Sequence, residues 1–150
     1  MALKKSKRNE ISILLETLDR RFSTYIKKRD ADINGICTCC TCGRRLHYKE
    51  IQCGHFISRK NKSTAWNELN AHAQCVTCNY NTDTNGYKKI HGEFIDNKYG
   101  LGTTVELNRI SLINAKFGKS DLEFMIKHYE KKIKEISLTP ISKLNNPFEI

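Results

Sequence analysis

Four cysteines set the chemistry at the centre of this sequence. Cys75 and Cys78 form one Cys-x-x-Cys pair, and a second is offered twice, as Cys37/Cys40 or Cys39/Cys42. Gly43 directly follows Cys42, which favours Cys39/Cys42. A Cys-x-x-Cys-Gly turn lets backbone N–H groups point at the thiolates, and glycine permits the positive φ this needs. Four thiolates complete the shell of a tetrahedral Zn²⁺ and leave no open position, so such an ion is structural. Its binding should contribute on the order of 10 kcal/mol or more to ordering so small a centre. The competing reading, buried or redox-active thiols, fits two pairs of matched spacing poorly. Cys37, Cys40 and Cys53 receive no function.

An ordinary zinc ribbon separates its pairs by roughly 15–20 residues. Here residues 43 to 74 intervene, which is 32. The insert holds Gly54-His55-Phe56 at the end of the apolar run Ile51–Ile57, and then the basic segment Arg59-Lys60-Asn61-Lys62. Trp66-Asn-Glu-Leu-Asn70-Ala-His72-Ala-Gln-Cys75 follows, and Asn79 comes directly after Cys78. A histidine on a strand, an asparagine five residues before a Cys-x-x-Cys and another right after it resemble the zinc-braced HNH nucleases. More narrowly, Cys-x-x-Cys-Gly, Gly-His-Phe-Ile-Ser-Arg, Asn-Glu-Leu-Asn-x-His-x-Gln-Cys and Cys-Asn resemble the NinG (Rap) family of phage recombination proteins, over about residues 35–100.

The resemblance implies a metal-dependent DNA endonuclease, and the residue chemistry agrees. Hydrolysing a phosphodiester needs an activated water, charge stabilisation on the phosphate and help for the departing oxygen. In an HNH site one divalent ion supplies the last two and a histidine the first. His55 is the general base in this reading, since an imidazole titrates near 6.5 and accepts a proton at neutral pH. Asn70 fixes the loop and orients His55. Asn79 is a ligand of the catalytic ion, expected to be Mg²⁺ or Mn²⁺ because amide and carboxylate oxygens suit hard cations. Related nucleases often place an aspartate immediately before the histidine. Gly54 stands there instead, so a carboxylate must come from elsewhere or be absent. Asp83 is the preferred substitute, four residues after Asn79 and thus one helical turn away. Glu68 and His72 are the other candidates. Each residue also has a plainer reading: His55 as a hydrogen-bonded strand residue, Asn70 as a turn residue, Asn79 as a helix cap.

Twenty-six Lys+Arg against sixteen Asp+Glu give a formal charge of +10. Such a chain attracts polyanions, and DNA is the expected partner. Arg59, Lys60 and Lys62, beyond the histidine strand, and Arg44 and Arg45, beside the first cysteine pair, are the candidate phosphate contacts. The resemblance implies branched DNA such as four-way junctions. Resolving a junction takes two nicks, and a two-fold dimer most simply supplies two active sites. The N-terminus lacks the apolar stretch of a secretory signal, and Ile13-Leu14-Leu15 is far too short to span a membrane. A cytosolic protein with reduced cysteines is expected.

The elements that must position these residues are readable in outline. Ile11, Leu14, Leu15, Leu18, Phe22, Tyr25 and Ile26 recur at steps of three and four, which predicts an amphipathic helix over about Asn9–Arg29. Its other face carries Arg20, Arg21, Lys27, Lys28 and Arg29. Strand-like runs occupy Arg45–Tyr48 and Ile51–Ile57. A helix is predicted from Cys75 or Val76, interrupted near Asn85-Gly86, resuming over Tyr87–Tyr99 and ended by Gly100 and Gly102. A last helix is predicted over Asp121–Ile136 with Ser120 as its cap. His47 and His91 read as surface residues and Trp66 as a core anchor. The expected fold class is α+β, a small zinc-braced ββα-metal (HNH-like) core with flanking amphipathic helices. Its segments are a basic helix over 1–33, the core over 34–102, a helical segment over 103–138 and a tail over 139–150 marked by Pro140 and Pro147. The flanking helices either pair two chains, clamp DNA or pack on their own core. Two rivals remain: a non-catalytic zinc module that binds nucleic acid, and a cysteine-based redox or zinc sensor.

Overall fold

The N-terminal apolar stripe folds as one helix, α1, Ala2–Asp30, in the computed structural model, which describes residues 2–84 and 86–138. Leu18, Phe22, Tyr25 and Ile26 are buried along one side of it, and Lys27, Lys28 and Arg29 in its last turn complement the helix dipole. Arg29 does not face solvent as expected. Its guanidinium turns inward to donate to the carbonyls of Glu68 at 2.7 Å and Ala71 at 2.8 Å, and it pairs with Asp30 at 2.7 Å.

Asp32 turns the chain after α1, its carboxylate accepting from the N–H groups of Asn34 and Ile36, both at 2.9 Å. Two antiparallel hairpins follow. Strands β1 (Ile36–Thr38) and β2 (Arg45–His47) pair around the first cysteine knuckle. Strands β3 (Gln52–His55) and β4 (Ala71–Gln74) form the second hairpin, with Gly54 opposite His72 and Gln52 opposite Gln74. β3 is shorter than the apolar run suggests, because Phe56 and Ile57 leave the ribbon to join Ile95 and Leu107 in a separate apolar cluster. Asn70 directly precedes strand β4.

Beyond β4 come α2 (Val76–Tyr80), α3 (Tyr87–Tyr99), α4 (Thr103–Ser111) and α5 (Lys119–Leu138). The predicted break holds at Gly86, whose φ of 77° suits glycine at the N-cap of α3. Helix α4 falls in the expected helical segment 103–138 but was not foreseen as a separate helix. Gly102 reads as a terminator but caps α4, and Asp96 of α3 accepts from the backbone N–H and hydroxyl of Thr104 at 2.9 and 2.8 Å. The cap of α5 differs too. Asp121 reaches back to the Gly118 N–H at 2.8 Å, so Ser120 lies inside the first turn.

Leu122, Ile126 and Tyr129 of α5 are buried in one cluster with Leu18, Phe22, Tyr25, Ile26, Trp66 and Ala71. Each large apolar side chain fully buried there contributes roughly 1.5–3 kcal/mol. The apolar faces of α1 and α5 are thus used against each other and against β3 and β4. Trp66 is the expected core anchor, its indole N–H donating to Asp19 at 2.8 Å and its carbonyl accepting from the Tyr129 hydroxyl at 2.7 Å. The expected tail, 139–150, lies outside the described residues, as does Asn85. No helix among the described residues is long and apolar enough to cross a membrane.

Candidate functional site

The two knuckles, one in the turn of the first hairpin and one at the start of α2, bring the sulfurs of Cys39, Cys42, Cys75 and Cys78 within 4.8 Å of one another. A tetrahedral ion with Zn–S bonds of about 2.3 Å needs sulfurs roughly 3.8 Å apart. Cys42 Sγ and Cys75 Sγ are 3.7 Å apart. The donor set and its spacing therefore fit a structural zinc. Gly43 has the expected positive φ, 76°, and its N–H donates to the Cys39 carbonyl at 3.0 Å. Burial opposes ionisation of Cys39, but N–H groups of Cys42, Cys75 and Thr41 aimed at its sulfur outweigh that and hold it down to about 7. The alternative pair is turned away. The Cys37 thiol donates to the Lys27 carbonyl at 3.1 Å, and burial pushes it up to about 11. Burial pushes Cys40 up to about 12.

Beside this centre a cleft of about 540 Å³ opens along β3, between α1 and the chain that follows α2. His55, Asn79, Asp83 and Arg59 all line it. His55 Nε2 lies 2.8 Å from the carbonyl oxygen of Ala65. A carbonyl only accepts, so Nε2 bears the proton and Nδ1 keeps the lone pair. Burial lowers the pKa of His55; Arg59 and Lys62 push the same way, while the Ala65 contact and Asp19 oppose.

Asn70 is fully buried. Its Oδ1 accepts from the Ile57 N–H at 2.8 Å, and its Nδ2 donates to the carbonyls of Ile57 and Thr64 at 3.0 and 3.1 Å. It closes the loop whose next residue, Ala65, holds His55, so any effect on the imidazole passes through that backbone. Asn79 donates from Nδ2 to Gln52 Oε1 at 2.7 Å, which leaves Oδ1 as the atom that could hold a cation. Asp83 lies beyond α2, in the following turn. A shared helix face therefore does not relate it to Asn79; the cleft wall does.

Glu68 and His72 lie elsewhere. Glu68 accepts from Tyr25 at 3.0 Å and Lys132 at 2.5 Å, tying α1 to α5. His72 is fully buried between His91 Nε2 at 3.1 Å and the Tyr99 hydroxyl at 2.8 Å. His91 is also fully buried, against the expectation of a surface residue, because α3 lays it across β4. Among the described residues, the four cysteines are the one cluster of three or more His, Cys, Asp or Glu groups at metal-binding spacing. An ion in the cleft would have few protein ligands, as suits Mg²⁺, which usually keeps several waters.

Sequence reasoning missed the α1 wall. Asp19, Ser23 and Lys27 recur at steps of four and line the cleft. That row runs beside the apolar stripe and could have been read as a second face. A neighbouring groove of about 530 Å³ shares Asp19 and Arg59 with the cleft and adds Glu16, Arg20, Lys60 and Lys62. Lys62 also lies over the Trp66 ring, 5.1 Å from its centroid. Arg44 and Arg45 sit apart, on the first hairpin, and Arg45 is paired with Asp32 at 2.9 Å.

Comparison with known families matches residues 1–138 to the family model described as Bacteriophage Lambda NinG protein. No curated protein and no solved structure matches significantly.

Proposed function

The chain belongs to the NinG family, which points to a phage recombination-related role, and from that premise we propose that it is a metal-dependent DNA endonuclease. The observation that carries this reading is that His55, with its proton held on Nε2 and its lone pair on Nδ1, lines the same cleft as Asn79 and Asp83. Nδ1 takes a proton from water as its oxygen bonds to phosphorus, and the bond from phosphorus to the departing sugar oxygen breaks. Burial keeps the imidazole neutral and ready at physiological pH. Asn79 and Asp83 would hold Mg²⁺ or Mn²⁺, which when bound supplies charge stabilisation to the phosphate. Asn70 holds the loop behind His55. Zinc at the four cysteines braces the wall that bears Asn79.

Arg59 in the cleft, with Lys60, Lys62 and Arg20 along the adjoining groove, gives the DNA backbone a run of positive charge. Arg44 and Arg45, apart on the first hairpin, are proposed as separate phosphate contacts, Arg45 already being paired with Asp32. Branched DNA is the proposed substrate, and two chains would make the paired nicks a junction needs. Gly54 favours a second reading, a zinc module that binds nucleic acid without cutting it. Incubating four-way and linear duplex DNA with the zinc-loaded protein and Mg²⁺ or Mn²⁺ separates the two. Cation-dependent nicking, faster on the junction, supports the enzyme; salt-sensitive binding without cleavage supports the module.

A further inference from the structure

Gln74 is fully buried at the end of β4, directly before Cys75. A buried amide is costly unless its hydrogen bonds are made. Its Nε2 donates to Thr41 Oγ1 at 2.7 Å, inside the first cysteine knuckle. Its Oε1 faces the Thr82 hydroxyl at 3.5 Å, and that hydroxyl also lies 3.2 Å from the Cys78 carbonyl. Thr82 lines the cleft beside Asp83. One side chain therefore spans from a loop of the metal centre to the far wall of the cleft.

The same side chain explains the glycine before His55. A Cβ at Gly54 would stand 2.0 Å from Gln74 Oε1 and 2.8 Å from Gln74 Cβ. The backbone there is not left-handed, so glycine is required for room. The register places Gln52 opposite Gln74, and Gln52 in turn holds Asn79. The wall from Asn79 to Asp83 is thus held at Asn79 by Gln52 and abutted at Thr82 by Gln74, which shares the one hydroxyl proton there with the Cys78 carbonyl.

We propose that Gln74 is a positioning residue that fixes the Thr82–Asp83 wall against the zinc centre, in the space a side chain at residue 54 would otherwise fill. The role rests on the endonuclease reading for its consequence in catalysis, but the brace itself is independent of it. Residue 54 then contributes no carboxylate, and a carboxylate ligand for the proposed cation would come from Asp83 in the same cleft.

Gln74→Met keeps the bulk over Gly54 and removes both polar contacts. In the full-length, zinc-loaded protein, zinc content should stay unchanged while amide exchange across 81–84 accelerates about tenfold or more. The Mg²⁺ concentration for half-maximal cleavage should rise roughly 10–100-fold, as when a residue supporting a metal ligand is lost, with DNA affinity measured without added Mg²⁺ unchanged. Gly54→Ala should be far more damaging beside Gln74 than in the Gln74→Ala background. Wild-type exchange at 81–84 in Gln74→Met overturns the proposal, and so does loss of zinc. If no cation supports cleavage by the wild type, the endonuclease reading fails while the exchange measurement still decides the brace.

Discussion

His55 Nε2 lies 2.8 Å from the Ala65 carbonyl, and the carbonyl one residue earlier, on Thr64, accepts from Asn70 at 3.1 Å. The imidazole is therefore held by a loop that a buried asparagine closes. Proton position, ring orientation and loop shape follow from one set of contacts.

The first prediction concerns pH. On the proposed mechanism His55 acts in its neutral form, and burial puts its pKa below the ordinary 6.5. Single-turnover cleavage should fall as pH drops through a midpoint below 6.5 and be flat from there to neutrality. A midpoint above 7 would mean that another group limits the rate.

Asn70→Ala should destabilise the fold. It leaves the Ile57 N–H and two carbonyls without their partner, and an orphaned buried group costs about 1–3 kcal/mol. Urea unfolding should show a loss of about 3 kcal/mol, with faster amide exchange over residues 57–65. Unchanged stability would remove Asn70 from its place in the argument.

Zinc should bind at one ion per chain, and Cys75→Ser should abolish it and unfold the centre. Cys37→Ser and Cys40→Ala should both retain the ion, because neither sulfur belongs to the cluster. Metal analysis of the purified variants checks this. Zinc lost from Cys37→Ser alone would revive the other pair.

Stability should fall in mild acid. Burial and the neighbouring His91 depress His72 to about 2, and burial and His55 depress His91 to about 4. The unfolded chain takes up a proton at each near pH 6.5, so below that pH it binds more protons than the folded chain. Each imidazole then removes about 1.4 kcal/mol per pH unit, down to its folded pKa. Denaturant titrations between pH 6.5 and 4.5 should show this slope, and His91→Gln should reduce it, leaving the shares of His72 and His55. An equal slope in the variant would assign acid sensitivity to zinc release.

The parts legible in the sequence were those that a local pattern determines. The α1 stripe, the α5 stripe and the choice of Cys39/Cys42 follow from periodicity or from one glycine. Strand β4 was not legible, since Ala-His-Ala-Gln has no β-branched residue and is buried by its neighbours. His91 was misread for the same reason: α3 buries it against His72, nineteen residues away in sequence. Asp19 and Gln74 act across the fold, one from α1 and one over Gly54. No local spacing links them to His55. Gly54 could be seen to lack a carboxylate, but the reason lies on the opposite strand.

In the proposed reaction an imidazole and a cation serve one phosphate. Cleavage of a nicked or branched duplex by wild type, His55→Ala and Asn79→Ala, at saturating Mg²⁺ and with DNA affinity measured alongside, tests this most directly. Both variants should bind DNA within about threefold of wild type, while turnover falls about 10²–10⁴-fold for His55→Ala and is abolished for Asn79→Ala. Wild-type cleavage by either variant would contradict the account.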